Sequence, residues 1–287
     1  MAATETEWGL DLPTGEPKRR FTGLFPNRLL RWRRPVWWQE IAIIAFGYWL
    51  YSLGRNAIKA QAELGMEHGR SIEKLQNSLH LNFEQSVNQW VGHHEWVAQV
   101  MDYYYATLHF VVTIGVMVWL FWKRPHLYRG ARTALFVTTL IALAGFALYP
   151  LAPPRLLAPH RYVDTLLKFH TWGSLADPQI AAHSNQYAAM PSLHIGWALW
   201  CGLSIFMCAN RLWVRLLGLA YPFGTLLVIV GTANHYIIDA VVGAIVVALA
   251  FGIQWLLSGH GAYTPPMDAP DFGLADDGHR YRGSTSS

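Results

Sequence analysis

The chain is short of cysteine and short of charge. Its 287 residues include two cysteines, Cys201 and Cys208, seven apart in one apolar run. Two are too few for a disulfide framework, and they read as small hydrophobes on one buried face. Only 14% of residues are charged, against about 25% in a soluble domain, which excludes an ordinary water-facing surface. The net charge of +4 is too small for a nucleic-acid groove. Most of the basic excess lies near the start, in Lys18, Arg19, Arg20, Arg28, Arg31, Arg33 and Arg34, where it acts as a topology signal. No internal repeat is present. The first apolar run starts near Trp37 and lacks a small-residue cleavage site, so a cytoplasmic tail followed by a start-transfer helix is expected, not a cleaved signal peptide. His68, His80, His93 and His94 crowd one segment without recognised ligand spacing. No metal and no cofactor is expected.

Apolar residues make up 53% of the chain and include fourteen tryptophans, a composition suited to spanning helices with interfacial aromatic belts. The expected fold is all-α: a polytopic membrane protein with six transmembrane helices at about 36–53, 103–122, 133–148, 191–209, 216–231 and 236–257. Between the first two, Ile72, Leu75 and Leu79, then Phe83, Val87, Trp90 and Val91, recur at helical spacing, and Asn82 to Gln85 reads as a capping box. Short amphipathic helices on the extracytoplasmic surface are expected there. Residues 1–35 form the basic tail, 36–258 the membrane domain, and 259–287 a Gly-, Pro- and Asp-rich tail expected to be disordered. With the basic start inside, the loops after the second and fourth spans are also inside, and both are short and basic. Both termini are then cytoplasmic.

Two polar stretches stand at the mouths of apolar runs. One is Asn185-Gln-Tyr-Ala-Ala-Met-Pro-Ser-Leu-His194, the other Thr232-Ala-Asn-His-Tyr-Ile-Ile-Asp239. Polar groups are costly at such places, so they point to function. Pro191 suits a first helical turn, and a helix start favours an anion such as phosphate. His235 and Asp239, four apart, share a helix face, so the carboxylate can hold one ring nitrogen while the other faces a substrate. A third stretch, Tyr149-Pro-Leu-Ala-Pro-Pro-Arg155, ends the third apolar run, and the topology puts all three on the extracytoplasmic face.

Met190-Pro-Ser-Leu-His194 and Asn234-His-Tyr-Ile-Ile-Asp239 resemble the second and third signatures of the type 2 phosphatidic acid phosphatase superfamily, the vanadium haloperoxidase-like proteins. The 149–155 stretch resembles the proline-rich signature of the branch that includes inositol phosphorylceramide synthases. The likeness covers about residues 36–258. It departs at Leu193, where the family has glycine, and at Val228-Ile229, where a Ser-Arg pair is usual. The family's Lys and Arg-Pro signature has no match at the right place.

The resemblance implies an integral-membrane lipid phosphatase or phosphotransferase working through a phosphohistidine. His235 would be the nucleophile, Asp239 its orienting partner and His194 the general acid. Arg155, Ser192 and Asn185 are the candidates for phosphate binding, with Arg55, Tyr105 and His109 lining the pocket. The expected partners are a lipid phosphate and the membrane, with no nucleic acid. Two further readings stay open: an inositol phosphotransferase of the phosphorylceramide synthase type, and a six-helix transporter or scaffold in which the histidines only satisfy neighbours.

Overall fold

Inside a bilayer the backbone can satisfy itself only within helices or a closed barrel, and long runs rich in Leu, Ala and Ile choose helices. The computed structural model describes residues 23–24, 33–57, 61–81, 83–157, 161–171 and 186–266, without the side chains of 48 and 50–57. Among the described residues the order is α1 (Trp37–Ala57), α2 (Ala62–Ser78), α3 (Phe83–Gly92), α4 (Glu95–Tyr103), a π-helical turn (Tyr104–Leu108), α5 (His109–Lys123), α6 (Pro125–Leu148), short α7 (Pro154–Leu157) and α8 (Thr165–Lys168), then α9 (Leu193–Cys208), α10 (Leu212–Gly231) and α11 (Ile237–Ser258). The expected all-helical fold is present. One isolated parallel bridge pairs Leu151 with Ala188.

Among the described residues, four helices are long and apolar enough to cross a membrane: Glu95–Lys123, Pro125–Leu148, Leu212–Gly231 and Ile237–Ser258. The first is α4, the π turn and α5 run together. The expected second span at 103–122 is thus the end of a longer helix that begins at Glu95. Helix α9 is apolar but has 16 residues, fewer than the roughly 20 a span needs. The 21 residues of α1 are long enough, but its Trp, Tyr and Glu residues dilute its hydropathy.

Only 28–33% of each of these four spans is buried in the protein. Outward faces carry Val111 and Ile114 on α5, Leu140 on α6, Phe223 and Leu227 on α10, and Val241, Ile245 and Leu249 on α11. Apolar surface of that extent fits lipid and not water. The inward faces meet tightly. A Cβ on Gly202 of α9 would lie 2.6 Å from the Gly218 carbonyl oxygen of α10, the close approach that small residues allow between membrane helices. Trp200 Nε1 donates to Ala131 O on α6 at 2.8 Å, and Trp197 Nε1 to Thr139 Oγ1 at 3.0 Å.

The two ends of the bundle differ. At one end lie basic turns, where Arg124 donates to Cys208 O at 3.0 Å and bonds Asn210 Oδ1, and where Arg132 pairs with the buried Glu40 of α1. The chain after α11 folds back onto this end, with Tyr263 OH 2.9 Å from Ser204 Oγ. Packed chain therefore continues past residue 259, while 267–287 and most of 1–32 lie outside the described residues. The opposite end gathers the start of α9, the start of α11, the end of α10 and the segment 149–157, all roofed by α2 and α3.

Candidate active site

The site is built where α9 and α11 begin. Ser192 caps α9 in an extended conformation (φ −67°, ψ 108°), and its Oγ accepts from Ile195 N at 3.4 Å. Pro191 therefore precedes the cap and does not sit in the first turn, because the serine hydroxyl closes that turn. Helix α11 starts at Tyr236, whose N–H donates to Asp239 Oδ2 at 3.0 Å. The two starts are locked together: Ser192 N donates to Asp239 O at 3.1 Å, and a Cβ on Gly243 would lie 2.6 Å from Ser192 O.

His235 leaves the end of α10 on a tight loop. Asn234 N and His235 N both donate to Ile229 O, at 3.0 and 3.3 Å. The turn needs Ala233 in the left-handed region (φ 52°), a conformation that costs a non-glycine residue about 1 kcal/mol. His235 is 4% exposed. Its Nδ1 lies 2.9 Å from Ala189 O. A carbonyl only accepts, so Nδ1 carries a proton, and in the neutral ring Nε2 holds the lone pair. Nε2 is buried and unpartnered among the described residues. Asp239 Oδ2 stands 3.4 Å from Nδ1. The carboxylate is thus the ring's second neighbour, and a main-chain carbonyl is its first.

His194 faces His235 with ring centroids 5.5 Å apart. Its Nε2 lies 3.3 Å from Tyr105 O, so that nitrogen is the protonated one. The Tyr105 ring stacks on His194 at 4.1 Å, and the His109 ring lies 4.3 Å from it. Tyr105 and His109, expected to line the pocket, both lie against His194. The π turn at 104–108 sits where they meet, and such turns often mark functional places because they re-aim side chains and main-chain carbonyls.

Arg155 is buried at 4% exposure. Its Nε donates to Asn234 Oδ1 at 2.9 Å and its Nη1 to Asp164 Oδ2 at 2.8 Å, and its backbone N–H donates to Ala233 O at 3.2 Å. It therefore braces the His235 loop. Of the other candidates, Ser192 spends its hydroxyl on the cap, Asn185 lies outside the described residues, and the Arg55 side chain is not described. Of the histidines of the outer segment, His68 stacks on Tyr149 at 4.0 Å and bonds Pro150 O, while His93 and His94 bond the carbonyls of Gln89 and Trp90 in the preceding helix α3.

The two helix starts differ electrically. In α11 the first N–H groups are taken: Tyr236 N by Asp239, Ile237 N by Glu84 Oε1 at 2.5 Å and Ile238 N by Gln76 Oε1 at 3.2 Å. In α9 Ser192 caps one N–H, and the amides of Leu193 and His194 have no partner among the described residues, as orphan donors of a helix start. An anion between the histidines meets an attractive helix start at α9 and carboxylates at α11. Glu84 is 1% exposed. Burial chiefly pushes its carboxyl up to about 7, and Asp239 adds to this, while the bonds from Gln76 and Ile237 oppose it. Sequence reasoning does not find Ala189, Glu84, Gln76 or Asp164. For Glu84 and Gln76 the signal would have been polar residues on the inward face of an amphipathic helix, visible only once that face is known, whereas Asp164 caps a short helix and Ala189 acts through its main chain.

A family model described as the PAP2 superfamily matches residues 70–253, more than half of the chain. The match begins within α2 and ends within α11, so it includes every residue of the histidine cluster. No curated protein and no solved structure matches.

Proposed function

The chain belongs to the PAP2 superfamily, and on that membership we propose that it is an integral-membrane enzyme that removes or transfers the phosphoryl group of a lipid phosphate through a phosphohistidine. Phosphatase-type chemistry on a phosphorylated substrate follows from the family. The lipid, the intermediate and the residue roles are the proposal. The observation that carries it is the placement of His235: Nδ1 lies 2.9 Å from Ala189 O, and Nε2 is buried and without a partner among the described residues. A buried polar atom left unpaired costs about 1–3 kcal/mol, a cost that a substrate would relieve.

In this reading the Nε2 lone pair attacks phosphorus and the phosphorus–oxygen bond to the lipid breaks. His194, entering as the imidazolium, gives a ring proton to the leaving alkoxide and becomes neutral, with Tyr105 O fixing the ring through Nε2. Water or a hydroxyl compound then attacks phosphorus, the phosphorus–nitrogen bond breaks, and His194 takes back a proton. Charge on the phosphoryl oxygens is met by the open amides of α9 and by Arg155, which would share its N–H groups between Asp164 and the phosphate. Ser192 contributes by fixing that helix start. The apolar outer faces suit a substrate delivered from the bilayer. Helices α1 and α9 would complete six spans, with the site at the extracytoplasmic end.

The test is labelling with phosphorus-32 lipid phosphates. An acid-labile, base-stable label is expected on the wild type and absent from His235→Ala. His194→Ala should still take up label from 4-nitrophenyl phosphate, whose leaving group needs no proton. A label that persists in His235→Ala and disappears in His194→Ala would reverse the two roles, and a wild type that neither labels nor releases phosphate would sink the proposal. Product analysis with and without inositol identifies the acceptor.

A further inference from the structure

We propose that Glu84 and Gln76 are positioning residues that hold the start of α11, and with it His235, in register with His194. The inference rests on the phosphohistidine reading of the site and adds to it a device contributed by the roof helices.

The two side chains reach α11 from far away in sequence, 153 and 162 residues, and arrive as one unit. Gln76 Nε2 donates to Glu84 Oε2 at 2.9 Å, Glu84 Oε1 accepts from Ile237 N at 2.5 Å, and Gln76 Oε1 accepts from Ile238 N at 3.2 Å. Each oxygen and nitrogen of the pair therefore has a defined job, and the amide orientation of Gln76 is fixed by its two neighbours. Both side chains are buried, at 1% and 3% exposure. A third polar residue of the same layer, Asn88, donates to Gly231 O at 2.9 Å and to Val163 O at 3.0 Å. The loop that carries His235 is thus held at both ends, by Asn88 at the close of α10 and by Glu84 with Gln76 at the opening of α11.

Stability alone does not explain the arrangement. A solvent-exposed helix start can be capped by its own serine or aspartate, and Asp239 already does this for Tyr236 N. Burying a second carboxylate close to Asp239 is costly, and apolar packing often serves stability as well or better. What the carboxylate adds is direction. Its bond to the Ile237 N–H fixes the α11 axis against the α2–α3 roof, and His235 stands two residues before that N–H. The nucleophile must sit within a few tenths of an ångström of its line of attack, and small misplacements are expensive in rate.

The donor–acceptor pattern supplies the test. Glu84→Gln sets an amide nitrogen against the amide nitrogen of Gln76, and Gln76→Glu sets two carboxylates against each other. The double swap, Glu84→Gln with Gln76→Glu, restores every donor to an acceptor. Each single variant should lower kcat for phosphatidate in detergent micelles by about tenfold to a hundredfold, with KM within about twofold. The double swap should recover kcat to within about threefold, so a single variant that fails to fold still leaves the swap as the deciding protein. Singles with kcat within twofold of wild type, or a folded double swap no better than the singles, would overturn the proposal. If the wild type shows neither turnover nor label, the phosphohistidine reading is what fails. Hydrogen exchange then decides the clamp by itself: faster exchange at the Ile237 and Ile238 amides in the singles, restored in the swap, supports it, and unchanged exchange refutes it.

Discussion

His235 owes its tautomer to a main-chain oxygen. Ala189 O lies 2.9 Å from Nδ1, against 3.4 Å for Asp239 Oδ2. The spacing of His235 and Asp239 is legible in the sequence, as is the pairing of His194 with them. The role of Ala189 is not, because a carbonyl 46 residues away carries no side-chain signature. The distinction changes the expected effect of Asp239→Asn. In serine proteases the matching change costs about ten-thousandfold because the imidazole adopts the wrong tautomer. Here Ala189 O keeps the proton on Nδ1, and the asparagine oxygen can still accept from Tyr236 N. Only the charge that steadies the positive ring is lost, so kcat should fall about a hundredfold. Steady-state turnover of the variant checks this, and a loss of ten-thousandfold would show that the carboxylate sets the tautomer after all. Arg155 is a second residue-scale case. Its guanidinium makes a fork to Asn234 and Asp164, geometry that an ammonium cannot copy. Arg155→Lys should therefore cut kcat at least tenfold, and full activity in Arg155→Ala would exclude any role for it.

At the scale of elements, apolar periodicity located α10 and α11 well, since a long apolar run has one solution in lipid, but it began α6 at Thr133 where the helix starts at Pro125. It placed the start of the second span late. The stretch 95–102 is amphipathic and reads as a surface helix, yet it continues through a π turn into α5 as one rod. Nor does periodicity reveal that α3 turns a carboxylate inward, because Glu84 beside Phe83 looks like the solvated side of a helix. That carboxylate has a thermodynamic signature. Gln76, the Ile237 amide, Asp239 and Tyr162 surround Glu84, and its folded pKa is raised from 4.5 to about 7. Between those values the folded state holds a proton that the unfolded chain has released, so stability falls as pH rises through this window. The loss approaches roughly 3 kcal/mol by pH 8, taking 1.36 kcal/mol per pKa unit. The thermal midpoint in detergent should decline from pH 5 to pH 8 in the wild type, and the decline should shrink in Glu84→Gln. An equal slope in both proteins would assign it to other groups.

The whole molecule sets its apolar surface outward and its polar contacts inward, so its orientation in the bilayer decides which compartment the histidines meet. The arrangement is polar in a second sense. Arg124, Arg129, Arg132 and Arg211 cluster at the end where α5 meets α6 and α9 meets α10, while His194, His235 and Arg155 gather at the other. On the positive-inside rule we propose that this basic end stays in the cytoplasm, which would turn the histidine end outward. Two exposed positions separate the alternatives: Ser86 on α3, on the roof over the histidines, and Arg211 in the turn before α10. The native Cys201 and Cys208 are buried and unpaired, so replacing both by alanine gives a silent background. In intact cells an impermeant maleimide should modify Ser86→Cys and leave Arg211→Cys untouched until the membrane is opened. The reverse pattern would put the phosphoryl transfer site in the cytoplasm, facing a different pool of lipid phosphates. The same experiment bears on α1 and α9, which are less apolar or shorter than the four clear spans. If α9 did not cross, its end at Cys208 and the start of α10 would share the side of Ser86, and both cysteines would label together.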